Sequence, residues 1–566
     1  MSRLKLLALA LAALLATTAV VGYGHRHALA RHVHALLSAT AEAAPNAGLL
    51  APDEAVAVSV AASDPGHPIS TFIYGVAKRD PAAIVGLGVT VNRWGGNPSS
   101  RFNWTLGHAW NAGDDWEFRN LNYGGSGSES DRFVAGDQAQ GVASLITIPA
   151  LGWVASSDRN SDQSVKVPAH GGPAINAAGA IAGYDPTDNR RLTSVPSLPR
   201  KPGQFLLNPP PGAPVYEDEW VNHLVRTFGS ATSGGVRFYS VDNESMLWSE
   251  THRDVHPAEL SYDGLLAMFS TYAAAIKDVD PGAEVVGPDS WGWTDYFYSA
   301  LDRGSDNFAA HPDRTRHGGM PLTSWFLSAV RARDQAAGRR SLDVLAVHFY
   351  PEAAGVADDR SSPRLDALRL RSTRALWDPT YTDESWIKQP VMLVPRLKHW
   401  VTESYPDTRI GITEYNFGGG SSASAGLAEA EALGIFGREG VYLATYWTAP
   451  KPNSPTWFAF RLYRNFDGMG GAFGDLSIPA RSTAPDTVSA FASRAPGWVD
   501  VMLLNKDLGA GHDVRLDLAG VTAKAPLQVW EYAAAGSQIQ RLGDLPPGTS
   551  RLALPAGAMV LVRVPV

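Results

Sequence analysis

Val236-Arg237-Phe238-Tyr239-Ser240-Val241-Asp242-Asn243-Glu244 and, far downstream, Thr408-Arg409-Ile410-Gly411-Ile412-Thr413-Glu414-Tyr415-Asn416 are the two stretches on which the fold turns. Each is a short run of β-branched and aromatic residues, which reads as a buried strand. Each carries a glutamate at its C-terminal end. A carboxylate in that place is costly unless it is paired, bonded or used. On two strands of one barrel, the two acids could face each other across a cleft. One protonated and one ionised carboxyl flanking a sugar linkage is what glycoside hydrolysis needs.

Working outward, further strand-like runs fall at Phe72–Val76, Gly88–Arg93, Ser144–Pro149, Glu284–Gly287, Val344–Phe349 and Tyr442–Trp447. With the opening pair, trimmed to Val236–Asn243 and Arg409–Glu414, they make eight. Between them Tyr262–Lys277, Leu322–Arg333 and Leu427–Phe436 place apolar residues at helical spacing. Strand alternating with helix means a parallel sheet, and eight units predict a TIM-like (β/α)8 barrel. The loops at 151–215 and 352–400 are long enough to mark a functional face. After about residue 470 the pattern changes to Val499–Leu504, Asp513–Leu518, Leu527–Tyr532 and Met559–Val564, strand runs divided by Gly and Pro. That predicts an antiparallel β-sandwich, which Ala55–Ala61 could join. The expected organisation is a signal peptide or membrane anchor at 1–30, a linker at 31–52, a sandwich strand at 53–70, the barrel at 71–470 and the sandwich at 471–566.

The bulk properties suit a folded, exported enzyme. Of the 566 residues 45% are hydrophobic and 18% charged, and the net charge of −8 opposes nucleic-acid binding. No cysteine is present, which excludes disulfides, thiolate metal sites and a cysteine nucleophile. Arg3 and Lys5 precede an apolar run from Leu6 to about Tyr23, the pattern of an export signal. A secreted or periplasmic location is expected, with membrane attachment only if that segment is retained, and a monomer.

Asn243, beside Glu244, could bond a sugar hydroxyl. Arg93, in Val91-Asn92-Arg93-Trp94-Gly95-Gly96-Asn97, could orient a carboxylate, and its glycine pair would let the backbone come close. Aromatic faces suit pyranose rings. Of the 17 tryptophans, Trp94, Trp104, Trp291, Trp293 and Trp447 fall at or beyond strand ends. His348 and Tyr350 end the sixth strand, with Glu352 after them; Glu250, Glu352 and Glu403 are the competing acids. Asp185-Pro186-Thr187-Asp188-Asn189 could ligate calcium, though a solvated turn is the reading its composition favours. No organic cofactor is expected.

Three blocks together resemble glycoside hydrolase family 44, a group of endo-β-1,4-glucanases and xyloglucanases. They are Arg93–Asn97 with Phe102-Asn103-Trp104 and Asn111-Ala112-Gly113; Val241–Trp248 with Thr251–Pro257; and Ile412-Thr413-Glu414-Tyr415-Asn416. The resemblance implies a barrel with a sandwich assembled from both chain ends, Glu244 as acid/base and Glu414 as nucleophile. It further implies Asn243, Arg93, Trp94, Asn97, Trp104, His348, Tyr350, Tyr415 and Trp447 as substrate-binding or supporting residues. The implied substrates are cellulose derivatives, xyloglucan, mixed-linkage glucan or glucomannan, cut internally with retention. Two departures stand out: Ser245 where the family usually has proline, and Thr105 where it has glutamate. An arabinofuranosidase or xylanase on the same frame, or a silent glycan-binding protein, are the alternatives.

Overall fold

The computed structural model describes residues 55–566 except 79, 114–117, 123–126, 161, 163–183, 186–189, 192, 212–213, 305 and 535. The export segment, the linker and most of the Asp185–Asn189 stretch lie outside the described residues. Among those described, no helix is long and apolar enough to cross a membrane.

Eight strands form a closed barrel: β1 (Gly75–Val76), β2 (Val91–Trp94), β3 (Ala143–Ile148), β4 (Phe238–Val241), β5 (Glu284–Ser290), β6 (Val344–Phe349), β7 (Arg409–Tyr415) and β8 (Leu443–Tyr446). Every neighbour is parallel to the next, and β8 closes on β1. All eight predicted strands are present. The first is shorter than expected, because Ser70 caps a 3-10 turn over Thr71–Ile73 by accepting from Phe72 N. Around the barrel run α1 (Glu129–Ala139), α2 (Glu217–Phe228), α3 (Tyr262–Val279), α4 (Leu322–Ala337), α5 (Pro363–Ser372), α6 (Leu393–Ser404), α7 (Ala423–Glu439) and α8 (Pro455–Arg464). The helix α7 extends beyond its predicted span. Ser422 caps its start, and Gly440 in the left-handed region, φ +66°, ends it.

The barrel interior is layered by polarity. Val91, Leu145, Phe238, Val286, Val344, Ala346 and Leu443, mostly from the early residues of their strands, form a separate buried apolar cluster. Arg93, Ser240, Asp289, His348 and Thr413, later on theirs, form a buried polar layer. The interior thus turns polar towards the C-terminal end of the strands, where a barrel enzyme places its chemistry.

The tail and the N-terminal strand build two sheets. Val56–Ala61 lies in a four-stranded sheet between Ala480–Ser482 and His512–Ala519. Its pairing with His512–Ala519 is parallel, where an antiparallel sandwich was expected. The second sheet has seven strands, including Val488–Ala495, Trp498–Asn505, Leu527–Tyr532 and Met559–Pro565. Val56, Val58, Val60, Val514, Leu516, Val499, Val501, Leu503, Val560 and Val562 share one buried cluster between the two sheets. The strand period of two sends Met502, Leu504, Phe491, Trp530 and Leu561 to the opposite face, where they join the barrel core.

Candidate active site

Glu244 stands three residues past β4 in a left-handed conformation, φ +46°, and Asp242 likewise has φ +61°. Such conformations are strained for non-glycine residues and persist only where the surroundings enforce them. Asp242 supplies the enforcement. Its carboxylate accepts from Ala150 N (2.6 Å), Leu151 N (3.0 Å), Asn243 N (2.7 Å), the Ser100 hydroxyl (2.6 Å) and the Trp248 indole (3.3 Å). Glu244 N in turn donates to the Asp289 carbonyl at 3.2 Å.

Glu414 is aimed by an irregularity in β7. The register against β6 runs Val347 to Ile412 and then His348 to Glu414, so Thr413 is the extra residue. A regular pleat would put Thr413 and Glu414 on opposite faces; a bulge re-aims side chains. The Thr413 hydroxyl donates to Asp289 (2.6 Å) and Glu414 accepts from Arg93 (2.6 Å), so both groups reach the same interior network. Tyr415 points the other way and donates to Glu429 of α7 at 2.7 Å.

The two glutamates share one buried network. Glu414 Oε1 accepts from Arg93 Nη1 at 2.6 Å and Oε2 from the Tyr350 hydroxyl at 2.9 Å. Glu244 Oε1 lies 2.8 Å from His348 Nδ1. The other His348 nitrogen, Nε2, is 3.5 Å from Arg93 Nη2, which can only donate. That geometry puts the imidazole proton on Nδ1, directed at Glu244. Burial, reinforced by the Arg93 charge, outweighs Glu414 and Asp289 and holds the His348 imidazole below its ordinary pKa, hence neutral. A carboxylate oxygen of Glu244, one of Glu414 and a His348 nitrogen lie within 4.8 Å of one another. Among the described residues this is the one group with the makings of a metal site, but Arg93 and Tyr350 already occupy both Glu414 oxygens.

Arg93 organises the rest. Burial pulls the pKa of its guanidinium down, but Glu414 and Asp289 more than offset this and hold it above its ordinary value. Its Nη2 donates to Asn243 Oδ1 (2.8 Å) and Asp289 Oδ2 (3.3 Å). Asn243 Oδ1 also accepts from Gly96 N (3.3 Å), and its Nδ2 donates to Asn97 Oδ1 (3.2 Å). The glycine pair is required sterically: a Cβ on Gly95 would lie 2.5 Å from the guanidinium carbon, and one on Gly96 2.4 Å from the Trp447 ring. Tyr350 is held far above its ordinary pKa by burial and the two glutamates, and so remains a phenol donor.

Arg93, Asn97, Asn243, Glu244, His348, Tyr350, Glu414 and Trp447 therefore converge, Trp447 half-buried with its ring 5.9 Å from the Arg93 guanidinium. Three predicted site residues do not join them. Trp94 is 1% exposed and packs on Phe102, Trp110 and Phe133, so it has no face for a sugar. Trp104 is buried against His223, with its indole donating to Tyr216 O. Tyr415 faces α7, for the pleat reason above. Trp293 is likewise buried, against Phe297, while Trp291 is partly exposed. Among the competing acids, Glu250 pairs with Arg303, Glu403 is exposed and Glu352 sits partly buried after β6. Thr105 bonds Asn103 at 2.7 Å. The residue that sequence reasoning missed is Asp289, in Gly287-Pro288-Asp289-Ser290, a stretch with the composition of a turn.

A profile of glycoside hydrolase family 44 matches residues 109–353. Endoglucanase A of Paenibacillus lautus is 32% identical over 480 residues, which cover 79% of this chain and 63% of that protein, so the chain spans under two thirds of this relative. A bifunctional glucanase-xylanase from a metagenome library is 38% identical, with a TM-score of 0.80 over 90% of this chain and 99% of that one. A family 44 endoglucanase produced by Clostridium acetobutylium is 30% identical, with a TM-score of 0.78 over 90% of this chain and 100% of that one.

Proposed function

We propose that this chain, which belongs to glycoside hydrolase family 44, cuts β-1,4-glucan-type polysaccharides internally and with retention of anomeric configuration. The observation that carries the reading is the approach of the two glutamates to within 4.8 Å. Retaining glycosidases hold their carboxyls ~5–5.5 Å apart, whereas inversion needs roughly 6.5–9.5 Å to admit a water. In the first step the Glu414 carboxylate gives an electron pair to the anomeric carbon. The glycosidic C–O bond breaks, and Glu244 passes its proton to the departing oxygen. In the second, Glu244 takes a proton from water, the water oxygen bonds the anomeric carbon, and the ester bond to Glu414 breaks. Arg93 and Tyr350 fix the attacking oxygens, His348 orients Glu244, and Asn243 is placed to bond the sugar 2-hydroxyl. Trp447 offers an aromatic platform. No organic cofactor takes part.

The kinship with a glucanase-xylanase favours xylan as a second polymer beside cellulose derivatives, xyloglucan and glucomannan. The charged-then-apolar N-terminus supports export. The test uses two variants. With azide and an activated β-glycoside, Glu414→Gly should yield the α-azide and Glu244→Ala the β-azide, because each carboxyl serves a different step. Exchanged products would reverse the two roles. Reducing-sugar release from none of carboxymethylcellulose, xyloglucan, glucomannan or xylan by the native chain would refute the activity.

A further inference from the structure

We infer that Asp289 is a positioning residue for the nucleophile, acting through Arg93 to make discharge of Glu414 electrostatically tolerable. The inference rests on the reading of Glu414 as nucleophile.

Asp289 is fully buried near the C-terminal end of β5 and ties together three other strands. Its Oδ2 accepts from Ser240 Oγ of β4 (2.6 Å) and Arg93 Nη2 of β2 (3.3 Å), and its Oδ1 accepts from Thr413 Oγ1 of β7 (2.6 Å). Its backbone is left-handed, φ +51°, and its carbonyl holds Glu244 N. One side chain thus touches the residue before the nucleophile and the arginine that grips it, while its backbone holds the acid/base residue. A barrel needing only stability could fill this place with an apolar side chain, as it does in the layer below.

The charges explain why an acid stands there. Arg93 lies between two carboxylates, Glu414 at 2.6 Å and Asp289 at 3.3 Å. When Glu414 attacks the anomeric carbon it becomes a neutral ester and no longer balances Arg93. A buried guanidinium with no anion is heavily penalised. The Asp289 carboxylate takes no part in the bond changes and keeps Arg93 paired throughout the life of the intermediate. Without it, Arg93 would hold Glu414 as its only anion. Attack would then leave the guanidinium unpaired, while breakdown of the ester would restore the pair. Loss of the Asp289 charge should therefore slow the first step and not the second.

A 2-deoxy-2-fluoro-β-cellobiosyl fluoride separates the two steps, since it labels a retaining nucleophile and the label is released slowly. Native enzyme should be labelled on Glu414. Asp289→Asn keeps the shape and removes the charge; its labelling rate should fall by roughly 10- to 100-fold, with its release rate equal to native or faster. Equal slowing of both steps would mean that Asp289 is only scaffolding, and unchanged labelling would also overturn the inference. If Asp289→Asn does not fold, Ser240→Ala and Thr413→Val each remove one donor to Asp289 while leaving the Arg93–Glu414 contact. Each should then slow labelling more than release, and no such asymmetry would refute the proposal. Failure of the native enzyme to become labelled at Glu414 would instead sink the retaining reading, and this inference with it.

Discussion

Tyr415 and Glu414 are adjacent in sequence and face opposite sides of the barrel wall. The outward one has its own consequence. Tyr415 donates to Glu429, whose carboxyl is fully buried and pushed by burial from its ordinary 4.5 to about 8, the Tyr415 bond opposing the shift. Between those values the folded chain holds a proton that the unfolded chain has released. Stability from this group is therefore complete below about 4.5 and is lost as pH rises towards 8. Glu429→Gln carries no titrating proton, so its melting temperature should fall less between pH 5 and pH 8 than that of the native protein. Parallel curves for the two would show that Glu429 is ionised at neutral pH. Sequence alone made Arg93, Asn243, Glu244, His348, Tyr350 and Glu414 legible, because each polar group ends or follows an apolar strand. It could not separate Trp447 from Trp94 and Trp104. All three sit near strand ends, and only packing decides which ring keeps a free face. Tyr415 was misplaced for want of the pleat phase, and that phase is set by a bulge that no residue type announces.

The repeating units of the barrel were legible because buried parallel strands are continuous apolar runs and their helices carry a 3.6-residue stripe. Among the sandwich strands outside the expected runs, Val488–Ala495 and Gln540–Leu545 lack that signal. The first mixes Ser and Ala with its apolar residues, and the second is exposed along nearly its whole length. Nor does sequence reveal what holds the loops over the site. Arg369 of α5 is completely buried, and its guanidinium donates to Phe417 O (2.9 Å) and Val356 O (3.1 Å), carbonyls beyond β7 and β6. It also bonds Asp366 (2.8 Å) and Ser424 (2.7 Å). Helix and loops are thus joined through one side chain. Arg369→Leu would leave Asp366 without its cation, held by the Ser361 and Ser424 hydroxyls alone, and two buried carbonyls without their donor, and breaking such a pair costs about 3–5 kcal/mol. The variant should melt well below the native protein, and proteolysis under native conditions should cut first near residues 416–422. A native-like melting temperature would mean that water replaces every one of these bonds.

At the scale of the whole molecule, the seven-stranded sheet is the element that neither the barrel nor the outer sheet can do without. One face packs on Val56, Val58 and Val60; the other stacks Tyr532 on Phe458 at 4.7 Å and Trp530 against Phe466 at 4.4 Å. A buried ion pair, Lys506 with Glu431 of α7 at 2.9 Å, fixes the second contact, and Ser489 donates to the same carboxylate at 2.8 Å. The strand Val56–Ala61 is paired with His512–Ala519 along its full length, although the entire barrel separates them in sequence. Such long-range pairing makes the sandwich depend on the segment that leads into β1, and the shared sheet makes the barrel depend on the sandwich. Removing residues 55–61 should therefore lower the melting temperature of the catalytic barrel as well as of the sheets. Activity and tryptophan fluorescence should be lost in a single coincident transition, since 15 of the 17 tryptophans lie before the tail. Lys506→Met should act in the same direction by leaving Glu431 buried beside Ser489 alone, at a cost of about 3–5 kcal/mol. An activity transition that stays at the native temperature in the shortened chain would show that the sandwich is carried by the barrel without supporting it, and the double burial of the central sheet would then need another explanation.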